Sequence, residues 1–109
     1  PLTLHELRIE IKRLRYTMEA FDRLLGRAGR EWGETLRQLQ ATLGVINDHT
    51  VALVRVEEYT QRETRPLEAA ALQRLGATVR AHREWLVAHF RVQWAQARPG
   101  RLAALIRAL

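Results

Sequence analysis

The sequence contains no cysteine and no serine among its 109 residues. Without cysteine, a disulfide framework and a zinc site with thiolate ligands are excluded, and the chain is compatible with a reducing cytosol. Without serine, the serine nucleophile of a hydrolase is excluded. The sequence also lacks a Walker-type phosphate loop and a magnesium-binding carboxylate cluster on one helix face. We therefore expect no catalytic activity and no cofactor.

Long apolar runs are also missing. No segment approaches the roughly 18 apolar residues of a membrane span, and no signal peptide is visible, so we expect no membrane partner. Hydrophobic residues make up 47% of the chain, which is enough for a core, and residues 1–109 suit a single domain. The chain begins with Pro1 rather than with methionine, so we expect a piece of a longer protein.

Acidic residues are fewer than basic ones, which leaves a net charge of +6. Such a balance favours polyanionic partners, namely nucleic acid, phosphate polymers or an anionic membrane surface. All but one of the 18 basic residues are arginine, the exception being Lys12. Arginine binds phosphate with a planar, forked donor set, although a GC-rich genome would produce the same bias.

Alternation with a period of two residues is absent over any strand-length segment, so the prediction is an all-α protein. Thr3 and Glu6 form a capping box that starts helix 1, and the helical pattern ends at Gly26 and Gly29. The expected buried stripe of helix 1 consists of Leu4, Leu7, Ile11, Leu14 and Met18.

Helix 2 is expected from near Glu31 to Gly44, with the apolar stripe Trp32, Leu36, Leu39 and Leu43. Asn47 or Asp48 would then cap helix 3, which weakens in the polar run 60–65. A single kinked helix through Gly44 is the alternative, since one glycine costs only about 1 kcal/mol against alanine.

The second half of the chain predicts two further helices. Helix 4 is expected over about 67–97, behind Pro66 and ended by Pro99-Gly100, with a short final helix over 101–109. Its apolar face consists of Leu72, Leu75, Val79, Leu86, Phe90 and Trp94. The predicted fold is a helical bundle of about four helices plus a short C-terminal helix.

A row of basic residues follows one face of helix 1. At about 100° per residue, His5, Arg8, Lys12 and Arg15 share a narrow arc, with Tyr16 beside it. Stacked cations repel one another, so a row of negative charges on a ligand would offset that cost. The alternative is a solvated face with ion pairs, but such a face would interleave acids, and none lies between His5 and Arg15 on this arc. We interpret the arc as a surface that binds successive phosphates.

Helix 4 contributes two further arginines. Arg83 lies on the same face as apolar residues, where an arginine is costly unless it is paired. It could pair with an acid such as Asp48, or it could extend past the core into the anion groove. Arg80 lies at the border of that face.

The remaining polar residues have simpler interpretations. Gln40, Asn47 and Asp48 are expected to serve as helix caps and buried hydrogen-bonding groups. A metal site could draw on the four histidines, but His82 and His89 are too far apart for one tight site without partners, and His49 is expected at a loop or a helix start. We therefore expect no metal. The full set of histidines is His5, His49, His82 and His89.

Two segments resemble signatures of the CHAD family, the conserved-histidine α-helical domain. The segment 4–16 reads LHELRIEIKRLRY and is similar to the family's first motif. The segment 36–48 reads LRQLQATLGVIND, followed by Val51, and resembles the second motif, Leu-Gln-x-x-Leu-Gly-x-x-Asn-Asp-x-x-Val. The two motifs come in the family's order and cover about the first half of the chain.

The resemblance implies an all-helical domain of two similar bundle halves that binds inorganic polyphosphate on a basic surface without catalysis. This chain has the length of one half, and the form Lys-Arg-Leu-Arg-Tyr resembles the second half, so we expect pairing with another half or with a second copy. The cytoplasm is the expected location, with polyphosphate granules as one place there. The implied phosphate-contacting residues are His5, Arg8, Lys12 and Arg15, with Arg80 and Arg83 from helix 4.

Nucleic-acid binding is the alternative function, since the same arc could follow a phosphate backbone. Against it, the arc offers no aromatic residue for base stacking except Tyr16, and no recognition-helix motif is evident. A phosphohydrolase, or an accessory half of one, is a further alternative that the missing metal carboxylates disfavour.

Overall fold

The computed structural model describes residues 3–20 and 22–108, with side chains for all of these except 22, 25, 28 and 98–108. The described residues form three helices and no strand, which confirms the all-α prediction. The number of helices is smaller than the four plus one that the sequence predicts. The helices are α1 (Leu4–Ala20), α2 (Asp22–Arg62) and α3 (Pro66–Ala108).

The start of α1 confirms the capping box. The backbone N–H of Glu6 donates to Thr3 Oγ1 and the N–H of Thr3 donates to Glu6 Oε2, each at 3.1 Å. The N–H of Leu7 also donates to the Thr3 carbonyl at 2.9 Å. These bonds satisfy N–H groups that the first turn of a helix leaves without intrahelical partners, so they set where α1 begins.

Gly26 interrupts the helical backbone within α2. Its φ of 61° and ψ of −140° are not helical, and no other described residue has a positive φ. An L-residue with a Cβ avoids this region, whereas glycine enters it at little cost. The kink therefore lies at the glycine where the sequence pattern of helix 1 ends.

The predicted break between helices 2 and 3 is wrong, because α2 continues through Gly44 and Asn47 to Arg62. Leu43 and Ile46, on either side of the glycine, are each 2% exposed. Burying such side chains contributes about 1.5–3 kcal/mol each, which exceeds the cost of about 1 kcal/mol for one glycine in a helix. Asn47 and Asp48 are consequently helix-interior residues rather than caps.

The predicted stop at Pro99-Gly100 is also wrong, because α3 runs from Pro66 to Ala108. Proline fixes φ near −65°, a helical value, so it removes one backbone hydrogen bond without forcing the chain to turn. Ala97, only 4% exposed, anchors α3 just before this proline. Pro66 occupies the first position of α3, where a missing N–H costs nothing.

Residues 63–65 connect α2 to α3. The Nε of Arg65 donates to Glu63 Oε1 at 2.9 Å, as does its backbone N–H. These hydrogen bonds hold the pKa of the Glu63 carboxyl at about 2, well below its usual range. The carboxylate therefore stays ionised and fixes the tight connection ahead of Pro66.

The chain divides into two compact units, residues 1–44 with 89–109 and residues 45–88. The first unit has a core from all three helices, and the predicted stripe of helix 2 is confirmed within it. Leu14, expected in the core, is 40% exposed and so is not part of it. The buried residues of this core include Ile11, Met18, Trp32, Leu36, Leu39, Leu43 and Phe90.

The second unit pairs the C-terminal part of α2 with the N-terminal part of α3. Its buried large apolar side chains, among the described residues, are Ile46 and Leu86. Gly76 is buried, and a Cβ built on it would lie 3.4 Å from Val56 Cγ1. Leu75, predicted to face the core, is 49% exposed. In the described part of the chain, no helix is long and apolar enough to cross a membrane.

Candidate anion-binding site

The basic stripe, His5, Arg8, Lys12 and Arg15, lies on one face of α1 in the first unit. His5 and Lys12 are exposed, and Arg8 and Arg15 are half-buried, with the side chain of Arg15 21% exposed. Residues three and four apart on a helix are neighbours, so the stripe offers one cationic or donor group at each turn.

The acids on the first half of α1 are held away from the stripe. Glu6 accepts the capping bond from Thr3, and Glu10 pairs with Arg13 NH1 at 3.2 Å. Both acids and Arg13 project from the opposite side of the helix, at about 100° per residue. The stripe therefore has no acid of α1 beside it until Glu19, which lies near Arg15 at its end.

Tyr16 packs against two members of the stripe. The guanidinium carbon of Arg15 lies 4.8 Å from the centre of the Tyr16 ring, and Lys12 Nζ lies 5.9 Å from it. Cations over an aromatic face are attracted by the ring quadrupole, by about 0.5–1 kcal/mol at exposed sites. Tyr16 thus orients both cations. Because their side chains are already restricted, an arriving anion removes less of their conformational entropy.

Glu19 ends the stripe and links it to α2. Its Oε1 lies 3.8 Å from Arg15 Nε and 3.4 Å from Arg37 NH2. Arg37 also pairs with Glu34 at 3.0 Å. The Arg15 Nε itself is buried and has no hydrogen-bond partner among the described residues. One carboxylate oxygen is therefore shared by two guanidinium groups.

Arg37 is the functional candidate that sequence reasoning missed. It lies in the second motif, but its approach to Glu19 joins residues 18 positions apart, which no local pattern reveals. A depression of about 560 Å³ lies beside this contact, within the first unit. It is lined by Met18, Glu19, Gly29, Arg30, Gly33, Glu34 and Arg37.

Arg80 and Arg83 lie together on α3 in the second unit. Arg80 is exposed, whereas Arg83 is half-buried and its Nε donates to Thr50 Oγ1 at 2.8 Å. The Thr50 hydroxyl in turn donates to the Ile46 carbonyl at 3.0 Å. Arg83 forms no ion pair with a described acid, so of its two alternatives the pairing with Asp48 is not seen, and the neutral Thr50 hydroxyl holds Arg83 instead.

His49 and His82 meet in the second unit. His49 Nδ1 donates to the Val45 carbonyl at 2.8 Å, and His49 Nε2 lies 2.8 Å from His82 Nδ1 in a hydrogen bond. Trp85 stacks against His82, with ring centres 6.1 Å apart. His49 is thus an interior residue of α2, not the loop or helix-start residue expected, because α2 does not break at Gly44.

Two further interpretations gain no support from the described contacts. One is a metal site built from the histidines, and the other is a buried hydrogen bond made by Gln40. No group of three or more potential metal ligands comes together in the described part of the chain. Gln40 is half-buried, and its carbonyl oxygen is buried without a hydrogen-bond partner among the described residues.

Comparison of the sequence with known protein families gives a match. The family model of the CHAD domain matches residues 1–57, just over half of the chain's 109 residues. The match spans α1 with its basic stripe and most of α2, including both motifs. No curated protein and no solved structure matches the chain. With a family match over more than half of its length, the chain belongs to the CHAD domain family.

Proposed function

We propose that this chain binds inorganic polyphosphate, without catalysis, through the basic stripe of α1. The observation that carries the proposal is the acid-free row from His5 to Arg15 on one exposed helix face. Polyphosphate binding is a general property of CHAD domains, and the family match includes this row. A repeating anion fits a row of cations because each phosphate offsets the repulsion between neighbouring side chains.

The four side chains divide the binding chemistry. Arg8 and Arg15 supply forked donors that can hold two phosphate oxygens at once, and Lys12 supplies a mobile point charge. His5, exposed in the first turn of α1, donates a hydrogen bond and becomes cationic when protonated. From His5 to Arg15 the row extends about 15 Å along the helix axis, enough for several phosphate groups.

Arg15 is the most preorganised member of the row. Its guanidinium is held over Tyr16, and its Nε is buried without a hydrogen-bond partner among the described residues. The nearest acid atom, Glu19 Oε1, is 3.8 Å from that Nε, which is too long for a hydrogen bond. An arriving phosphate oxygen would satisfy donors of Arg15 that Glu19 leaves incompletely used.

Arg80 and Arg83 are proposed as a second set of phosphate contacts. Among the described residues, the Arg83 guanidinium has one hydrogen-bond partner, the Thr50 hydroxyl at Nε, so its two terminal nitrogens keep their donors for an anion. Arg80, one turn earlier on α3, is exposed. Both arginines lie in the second unit and are proposed to contact phosphate there.

Nucleic acid is a competitor for this site rather than its proposed ligand. Tyr16 is the aromatic residue beside the stripe, whereas proteins that bind single strands stack successive bases on several aromatic side chains. We also propose that the chain is located in the cytoplasm, with polyphosphate granules as one site of association.

The test compares polyphosphate affinity before and after the double substitution Arg8→Ala with Lys12→Ala. With two phosphate contacts removed, binding releases fewer counterions from polyphosphate. The affinity should therefore fall about tenfold or more, and the slope of log K against log salt should become less negative by roughly 1.5. Titrations with long-chain polyphosphate at several salt concentrations measure both quantities.

Arg13→Ala is the matched control, since Arg13 lies on the same helix but pairs with Glu10 on the far side and is 73% exposed. It should leave affinity nearly unchanged. Equal losses in the control and the double variant would contradict the site, as would unchanged binding in the double variant. Displacement of polyphosphate by RNA or DNA at equal phosphate concentration would favour the nucleic-acid alternative.

A further inference from the structure

The outer face of α2 in the second unit carries an apolar and charged stripe that nothing in the described chain covers. Val51, Val54 and Tyr59 on it are 46%, 53% and 64% exposed. Val51 and Tyr59 lie on the side of α2 away from Ile46 and Val54 lies at the edge of that side, and a groove of about 390 Å³ runs along them. We call this the α2 outer face, and its members are Val51, Val54, Arg55, Glu58, Tyr59 and Arg62.

The charges of the α2 outer face are not used within the chain. Arg55 and Glu58 are three residues apart, and Glu58 and Arg62 are four apart, both favourable spacings for an ion pair within a helix. Among the described residues, none of the three takes part in an ion pair, and all three are exposed. Their charges therefore remain available to a partner.

The order of residues along the stripe is self-complementary. When a second α2 helix lies antiparallel, with a two-fold axis between Arg55 and Glu58, Arg55 of each copy faces Glu58 of the other. The same register places Val54 of each copy opposite Tyr59 of the other. Positions 51, 55, 58 and 62 are spaced by four, three and four, so they lie in one line along the helix, and Val51 of each copy faces Arg62 of the other. An interface of this kind is isologous and closes as a dimer.

We propose that the α2 outer face binds a second copy of this chain in this antiparallel register. A partner on this face would add buried apolar contacts to the second unit. Ile46 and Leu86 are its buried large apolar side chains among the described residues, while Leu67 on α3 is 82% exposed. Apolar side chains that line a groove and are rimmed by charged residues, as here, are typical of interaction sites. The inference is independent of polyphosphate binding, because no residue of the α2 outer face belongs to the basic stripe.

Charge reversal tests the register in the full chain. The solution mass should rise with concentration from 12.6 kDa towards twice that value. Arg55→Glu alone places two acids opposite each other at each contact, and Glu58→Arg alone places two arginines there. Each single variant should weaken the dimer by about tenfold or more, because like charges across an interface repel. The double variant Arg55→Glu with Glu58→Arg restores opposite charges and should dimerise again.

Mixing the two single variants gives the sharpest outcome. A copy with two acids at positions 55 and 58 faces a copy with two arginines, so the mixture should form a 1:1 dimer that neither variant forms alone. Glu57→Arg is the matched control, since Glu57 is an exposed acid of α2 outside the stripe, and it should leave the mass unchanged. Circular dichroism checks that each variant keeps its helical content.

Three results would overturn the inference. The first is a wild-type chain that stays monomeric up to millimolar concentration. The second is a dimer that both single variants retain, which would place the interface on another face. The third is a mixture of folded single variants that stays monomeric while the wild type dimerises.

Discussion

Glu19 shows how a single residue can set the strength of the proposed site. Its Oε1 lies within 4 Å of both Arg15 and Arg37, so one carboxylate holds two guanidinium groups at the end of the basic stripe. It thereby competes with any anion for those two side chains. The competition is mild, because partly exposed ion pairs contribute about 1 kcal/mol or less.

Glu19→Gln should therefore increase polyphosphate affinity, by roughly fivefold, since the amide keeps the shape and removes the competing charge. Equilibrium titration at fixed salt measures the change. Glu10→Gln serves as the control, because Glu10 pairs with Arg13 on the far side of α1. A weaker binding of the Glu19 variant would mean that Glu19 positions Arg15 instead of competing for it.

Single residues were predictable from the sequence where the cause was local. The capping box of Thr3 and Glu6 depends on a spacing of three, and the structure shows both of its bonds. The bond from Arg83 to Thr50 joins residues 33 apart and depends on how the helices pack. No spacing in the sequence contains that information, which is why the sequence left Arg83 with two alternatives and neither named Thr50.

At the level of helices, the apolar period predicted most of the core, with Leu14 and Leu75 as exceptions, and the glycine signals were less reliable. Trp32, Leu36 and Leu39 follow the helical period and are all buried, as predicted. Gly26 and Gly44 look alike in sequence, yet the first kinks the chain and the second lies in regular helix. The difference arises from burial on both sides of Gly44, which is a property of the packed molecule.

Alanine substitutions at these two glycines should have opposite effects on stability. Gly44→Ala should raise the free energy of unfolding by about 0.5–1 kcal/mol, because alanine favours the helix and nothing lies within 4 Å of the new Cβ. Gly26→Ala should lower it by about 1–2 kcal/mol, because its φ of 61° strains an L-residue.

Urea denaturation followed by circular dichroism measures both changes, each glycine variant being the control for the other. A destabilised Gly44 variant would indicate that the chain does break at residue 44, as the sequence alone suggested.

For the whole molecule, the net charge of +6 is present whether or not the chain is folded. Folding arranges these charges in space. Four basic side chains lie on one face of α1, and Glu6 and Glu10 lie on the other. Charge alone would let polyphosphate bind folded and unfolded chains alike. An ordered row predicts a preference for the folded chain.

Polyphosphate should accordingly raise the midpoint of thermal unfolding. A free concentration of 100 times its Kd stabilises the folded state by about 2.7 kcal/mol, or roughly 10 °C for a chain of this size. Thermal scans monitored by circular dichroism measure the shift, and the variant with Arg8→Ala and Lys12→Ala should show a smaller one at the same concentration. An unchanged or lowered midpoint would mean that binding requires only charge.

The hydrogen bond between His49 and His82 determines where this pair can react. The Val45 carbonyl is purely an acceptor, so His49 Nδ1 must carry its hydrogen, and the neutral ring presents a lone pair at Nε2. His82 Nδ1 is then the donor of the bond that joins the two rings. A metal ion bound by both rings would need His49 Nε2, so chelation would first have to break that bond.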